Sequence, residues 1–387
     1  MRVLYVADEL TQSGAIKSFE ELVITMKEKF GIEAIVCTSG RSALNDRLEQ
    51  KGIQTVVSCY ASVMQNSPIT WWKIPIKYIL CGLKYFLQRK TAIKEIESSV
   101  NFHTIDLIHT NVNRIDIGVE LGIKYHIPNI MHIREFGDED FKCWLYRKRY
   151  LNYLDKNVTQ FIAISKAVKA SWVSRGISAR KVEVIYNGVD FRSIKTAKLE
   201  NILTSETMKI VIVGGVIPNK GQMQAIQAIS LLPERIRNKV TLDIIGWSSK
   251  QYFEIIKAEI SRLGLKSQVK ILGPKSDVYE RLQNYHVGLM CSKAEGFGRV
   301  TVEYMHACLG VIASNCGANP ELIHDGRTGL LYDKNDTNSL TQKIMEYFQN
   351  RQLLLKCAKN GQKFASEHFT QELNAVCVFD LYKKLMD

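Results

Sequence analysis

No part of this 387-residue chain comes near the roughly 18 to 20 uninterrupted apolar residues that a helix needs to cross a bilayer, so no membrane span is expected. None of the nine cysteines belongs to a CxxC pair, and several, such as Cys37, Cys81 and Cys291, stand inside apolar runs. A zinc or disulfide framework lacks its usual spacing here, and the cysteines read as small core residues of a protein in a reducing cytosol. Internal repeats and low-complexity segments are missing. So are paired zinc-ligand spacings and aromatic RNP patterns, and nucleic acid is not expected as a partner. Acidic residues are the minority, 39 against 52 Lys and Arg, for a formal net charge of +13. That excess favours anionic partners, and with nucleic acid set aside these are anionic lipid and phosphorylated ligands.

What remains is a globular composition, 46% apolar and 24% charged, in a chain long enough for two domains with separate cores. The opening MRVLYVADEL has a short apolar run that meets Asp8 and Glu9, the pattern of a strand and not of a signal peptide. The most informative stretch starts at Ser292: SKAEGFGRVTVEYMHACLGVIASNCGANPE. Before it, residues 287–291 form a short, tightly bounded apolar run, as a buried parallel strand would. The turn Glu295-Gly296-Phe297-Gly298 follows, and a helical pattern begins near Val300. A glycine turn at a helix start presents unpaired backbone N–H groups with little bulk before them, which makes an anion site, phosphate being the usual anion. Glu295 and Glu303 bracket this turn. Because helical side chains tilt toward the N-terminus, Glu303 aims back at the pocket that Glu295 reaches from the strand end. Two carboxylates so placed accept hydroxyls on either side of a diphosphate, which suits a sugar and a ribose. Residues 310–314 and the turn Gly317-Ala318-Asn319-Pro320-Glu321 repeat the alternation of strand, loop and helix.

The EGFGRVTVE block, followed by GANPELI and then HDGRTGLLY, resembles the retaining glycosyltransferases of family 4, most closely in the second half of the chain. The resemblance implies the α/β GT-B fold, two doubly wound Rossmann-like domains facing each other across a cleft. It implies transfer of a hexose from a nucleotide-diphosphate sugar, a UDP-sugar being favoured, to an acceptor hydroxyl with retention at the anomeric carbon and with no metal or cofactor. An acceptor-binding domain would span residues 1–190, a linker 191–207, and a nucleotide-sugar domain 208–365. Residues 366–387 would form a helix returning to the first domain. Among the family's site positions, Glu303 falls at the ribose and Glu295 at the sugar hydroxyls. Lys220 and the segment Gly296, Phe297, Gly298, Arg299, Val300 and Thr301 fall at the donor diphosphate, and His132 at the donor sugar or the acceptor side. Glu295, His132 and Lys220 are then the expected catalytic residues.

Departures from the family pattern carry their own expectations. Gly14, in the first loop and expected among the donor-binding residues, follows Ser13 where two glycines are usual. Gly215 replaces a usual arginine, and Arg299 is expected to supply the lost phosphate contact. Cys308 and Gly310 replace a glycine and a proline at a helix end, as packing changes. His109 and Arg134, near strand ends, are second-rank candidates behind His132, for the acceptor or membrane side. Residues 71–90, WWKIPIKYILCGLKYFLQRK, with Trp71, Trp72, Lys73 and Lys77, suit either a membrane interface or a core helix with a basic outer face. A second basic aromatic stretch, WLYRKRY at 144–150, adds weight to the membrane. The HIREF wording at 132–136 is similar to that of bacterial capsule and exopolysaccharide enzymes, so the expected acceptor is a lipid-linked saccharide and the expected location the cytoplasmic face of the cell membrane. Asp138-Glu139-Asp140 could hold a divalent ion but is expected to be a solvated loop. Two rival readings are a catalytically silent GT-B partner of a true transferase, and an epimerase or phosphorylase of the same architecture.

Overall fold

The computed structural model describes residues 1–8, 14–66, 74–137 and 143–387. The chain divides into two compact units, one made of residues 1–188 with 371–387 and one of residues 189–370.

In the first unit the strands are β1 (Arg2–Ala7), β2 (Glu33–Thr38), β3 (Gln54–Val57), β4 (Met64–Asn66), β5 (Leu107–Thr110), β6 (Asn129–Ile133), β7 (Cys143–Leu145), β8 (Gln160–Ala163) and β9 (Val182–Val184). Seven of them form a parallel sheet in the order β3-β2-β1-β5-β6-β8-β9, while β4 and β7 pair antiparallel. The central strands β1, β5 and β6 are buried at nearly every position, polar residues included, because both faces of the sheet are covered. Alternation sends Val3, Tyr5 and Ala7 to one face, under the helices Gly14–Phe30 and Gln371–Met386, and Leu4 and Val6 to the other, under Ile74–Ser99 and Ile117–Tyr125.

The second unit has a six-stranded parallel sheet in the order β12-β11-β10-β13-β14-β15, where β10 is Met208–Val213, β11 Val240–Ile245, β12 Val269–Gly273, β13 Val287–Met290, β14 Gly310–Ser314 and β15 Leu330–Tyr332. In each sheet the strand order reverses once, beside β1 and β5 and beside β10 and β13. Ligands of doubly wound sheets bind beyond the C-terminal strand ends at such a reversal.

Two boundaries differ from the reading of the sequence. The near-helical run 364–386 is two helices, Arg351–His368 and Gln371–Met386. Phe369 turns inward between them, edge-on to Phe297 and Phe364, and its carbonyl accepts from the Val189 amide, so residues 366–370 stay with the second unit. The polar segment 191–207 also belongs to that unit. It includes a short helix, Leu199–Thr204, and the amides of Lys195 and Ala197 donate to the carbonyls of Tyr279 and Ala307. Backbone hydrogen bonds, which composition does not report, tie it down.

Candidate active site

In the second unit, β13 ends at Met290 and the next helix, Arg299–His306, starts at Gly298. Gly298 has φ +85°, and a methyl group there would lie 3.1 Å from Thr301 Oγ1 and 3.4 Å from Asn319 Oδ1. Only glycine takes that left-handed turn without strain. No side chain caps the helix, and its first i→i−4 bond runs from the Val302 amide to the Gly298 carbonyl, so the amides of residues 299–301 precede the ladder. Thr301 Oγ1 and Asn319 Oδ1 beside the turn are buried without hydrogen-bond partners among the described residues. Neighbouring loops are stitched to the turn: Lys293 donates to the Asn219 carbonyl and Ala318 to the Glu295 carbonyl.

The charged residues of the motif come together in two groups. Lys220, in the short turn Pro218–Lys220, reaches Glu295 Oε2 at 2.9 Å, with the lysine about a third exposed and the carboxylate largely covered. Glu303, one turn into the helix and buried, accepts at Oε1 from the Tyr279 hydroxyl at 2.7 Å and from Arg299 Nε at 3.0 Å. Arg299 thus holds its own helix neighbour through Nε at the same turn where its phosphate contact is expected. Phe297 is buried against Phe369 and braces the turn from beneath, while Gly296 and Val300 are partly exposed.

In the first unit, Gly14 opens the helix Gly14–Phe30 and is exposed, whereas Ser13 lies outside the described residues. His132, at the end of β6, is fully buried, and its Nδ1 faces His109 Nε2 at 3.1 Å. His109 does not reach a ligand as expected. It is wholly enclosed, with one ring nitrogen bonded to His132 and the other to the Tyr382 hydroxyl. Arg134 is buried with Nε on the Asn111 carbonyl and side chain and Nη1 on Asn187 Oδ1 at 2.7 Å. Burial and the Arg134 charge hold His109 down to about 3 and His132 well below the ordinary histidine value.

Of the membrane candidates, Trp71, Trp72 and Lys73 lie outside the described residues, as does Asp138-Glu139-Asp140. Lys77 falls in the helix Ile74–Ser99. That helix buries Tyr85, Ala92 and Ile96 and exposes Ile79, Leu80, Leu83, Phe86 and Leu87, each between 49% and 69%, with Lys84 and Lys90 also exposed. Its outer face is apolar with flanking lysines, so a purely basic outer face is not what the fold presents. In the second basic stretch, Arg147 points inward to Asp116 and Glu120.

Two family models match consecutive parts of the chain: Glycosyltransferase Family 4 over residues 29–192 and Glycosyl transferases group 1 over residues 195–364. The chain belongs to the family 4 glycosyltransferases of GT-B fold. An uncharacterised glycosyltransferase of Methanocaldococcus jannaschii is 28% identical over 310 residues, 79% of this chain and 82% of its own. A capsular polysaccharide biosynthesis glycosyltransferase of Staphylococcus aureus, CapM, is 24% identical over 58% of this chain and 63% of its own. The N-acetylgalactosamine-N,N'-diacetylbacillosaminyl-diphospho-undecaprenol 4-alpha-N-acetylgalactosaminyltransferase of Campylobacter jejuni is 27% identical over 50% of this chain and 51% of its own. Among solved structures, Anabaena HepE in complex with UDP and glucose has the same fold, with a TM-score of 0.79 at 22% identity over 99% of this chain and 100% of that one.

In this transferase, three residues near the candidate site escaped the sequence reading. Tyr279 grips Glu303 from 24 positions upstream, a distance across which no spacing rule operates. Asn319 was legible, since a buried Asn in a turn between strand and helix is a common local bonding partner; its Nδ2 donates to the Ser314 carbonyl. Tyr382 occupied a helical core position, and its hydroxyl carried no separate signal. At Gly215 nothing lies within 4 Å of an added Cβ, so the transferase has open space where the family usually carries an arginine.

Proposed function

We propose that this glycosyltransferase moves a hexose from a UDP-sugar to a hydroxyl of a lipid-linked saccharide, with retention and without a metal ion, in the synthesis of a bacterial surface polysaccharide. The observation that carries the reading is the pairing at one strand edge of Lys220 with Glu295 and of Glu303 with Tyr279 and Arg299, beside an uncapped helix start. When a donor binds, Glu303 accepts the ribose hydroxyls. The helix-start amides and Lys220 take the diphosphate, and Lys220 exchanges the Glu295 carboxylate for phosphate oxygen. Glu295, released from Lys220, accepts the sugar hydroxyls. As the glycosidic bond breaks, negative charge grows on the diphosphate, and fixed amides, helix dipole and ammonium stabilise it without reorganising. The acceptor then attacks from the face the diphosphate leaves, and a phosphate oxygen takes its proton.

UDP and glucose bound to HepE favour the uracil base, the S. aureus relative favours polysaccharide synthesis, and the C. jejuni relative favours an acceptor carried on a lipid diphosphate. The exposed apolar stripe of residues 79–87 with Lys84 and Lys90 supports peripheral contact with an anionic membrane, where such an acceptor resides. A thermal-shift panel of UDP, GDP, ADP and TDP tests the donor assignment, since a ligand of the native state raises the melting point with its concentration. UDP should shift the wild type and not Glu303→Gln. A shift with another base alone overturns the uracil assignment, and none with any base overturns the donor site.

A further inference from the structure

A chain of buried polar side chains crosses the core of the first unit: Tyr5 on β1, Tyr382 on the helix Gln371–Met386, His109 on β5, His132 on β6, and Arg134 just beyond it. The Tyr382 hydroxyl lies 3.4 Å from that of Tyr5 and also bonds His109 Nδ1. His109 Nε2 is 3.1 Å from His132 Nδ1, and Arg134 Nη2 is 3.3 Å from the same nitrogen. An arginine only donates. A proton on His132 Nδ1 would therefore point at a guanidinium N–H, so that nitrogen is the acceptor. Burial and the neighbouring guanidinium hold both imidazoles below their ordinary value of about 6.5, so each ring carries a single proton. On His132 it sits at Nε2. His109 must then donate from Nε2 and accept at Nδ1 from the Tyr382 hydroxyl. The donors run one way, from Tyr382 to His109 to His132, and end at His132 Nε2, which is buried and has no partner among the described residues.

We infer that Arg134, His109 and Tyr382 are positioning residues that fix His132 as the Nε2–H tautomer, a hydrogen-bond donor kept for a ligand oxygen and not a base. The oxygen class that fits is a sugar hydroxyl or ring oxygen. The identity of that ligand rests on the proposed transfer reaction, whereas the tautomer does not.

Histidine-selective nitrogen-15 labelling of the full chain, read by long-range proton–nitrogen correlations at neutral pH, shows which ring nitrogen is protonated. The His132 signals are those that vanish in His132→Gln. Nε2 protonated and Nδ1 bare is the expected result; an Nδ1–H ring or an imidazolium overturns the inference, whether or not the chain turns over any donor. In Tyr382→Phe, His109 keeps its Nε2–H bond to His132 but loses the hydroxyl that donates to Nδ1, so its bare Nδ1 signal should move, and a spectrum identical to wild type removes Tyr382 from the relay. For the ligand contact, His132→Gln keeps an N–H donor and His132→Leu does not. Transfer by the Gln variant should exceed that by the Leu variant about tenfold, equivalent to about 1.4 kcal/mol. Equal loss in both, alongside the Nε2–H spectrum, overturns the donor contact and leaves the relay. A wild type inactive with every nucleotide sugar defeats the proposed function, and the spectrum still decides the tautomer.

Discussion

Replacing Tyr279 with Phe removes one oxygen from the pair of donors that hold Glu303. The carboxylate is only 5% exposed, and its Oε1 accepts from the Tyr279 hydroxyl at 2.7 Å and from Arg299 Nε at 3.0 Å. A hydrogen bond to a charged group contributes about 1.5–3 kcal/mol. Arg299 remains in the variant, so the lower end applies, about 1.5 kcal/mol lost from the second unit. In a Glu303→Gln background the same change should cost under about 0.5 kcal/mol, leaving a coupling near 1 kcal/mol in a double-mutant cycle. Urea denaturation reads this as a shift in midpoint at unchanged slope. A Glu303 held by one donor also loses its fixed position, and if it serves the ribose as proposed, UDP affinity should fall about tenfold. Equal cost in both backgrounds, or unchanged UDP affinity, would refute the claim that Tyr279 acts through Glu303.

Three further outcomes follow from the geometry. Gly298→Ala forces a Cβ into left-handed backbone at φ +85° and against Thr301 Oγ1, so it should cost about 1–2 kcal/mol by urea titration and weaken UDP binding with it. His109 and His286 are buried with values near 3 and 4, so the unfolded chain binds protons that the native chain refuses; stability is full above pH 6.5 and is lost as pH falls. At about one unit below that value each site should remove about 1.4 kcal/mol, read from urea midpoints across the pH range, and a flat profile would contradict their burial. Replacing Leu80, Leu83 and Leu87 together with Ser removes much of the exposed stripe. Co-sedimentation with vesicles rich in anionic lipid should drop several-fold while UDP binding stays unchanged, and undiminished sedimentation would place the membrane contact elsewhere.

The parts of the fold read correctly from sequence are those written in short-range chemistry. β13 shows as an apolar run, the turn as a glycine pair of which Gly298 takes the left-handed position, and the following helix as a periodic pattern, so the GT-B architecture is legible around residues 287–306. The long-range parts are not. Phe369 looked like one more apolar position of a helix because its inward turn depends on Phe297, 72 residues upstream, and on the Val189 amide. Segment 191–207 looked like a linker because its anchors are backbone groups. His109 stood near a strand end in sequence, yet strand alternation puts it on the Tyr5 face beneath Tyr382, in the core. Arg299 is expected at the phosphate because it lies in the turn; its one-turn spacing to Glu303 adds a salt bridge within the helix that the sequence reading did not name.

The most direct test of the central claim is release of UDP from UDP-hexoses, measured with the wild type, Lys220→Met and Glu295→Gln, with and without a lipid-linked saccharide fraction. Slow release by the wild type from one UDP-hexose, acceleration by the acceptor fraction, and loss of both in the two variants are the expected results. No release from any UDP-hexose, or release that survives both substitutions, would contradict the central claim.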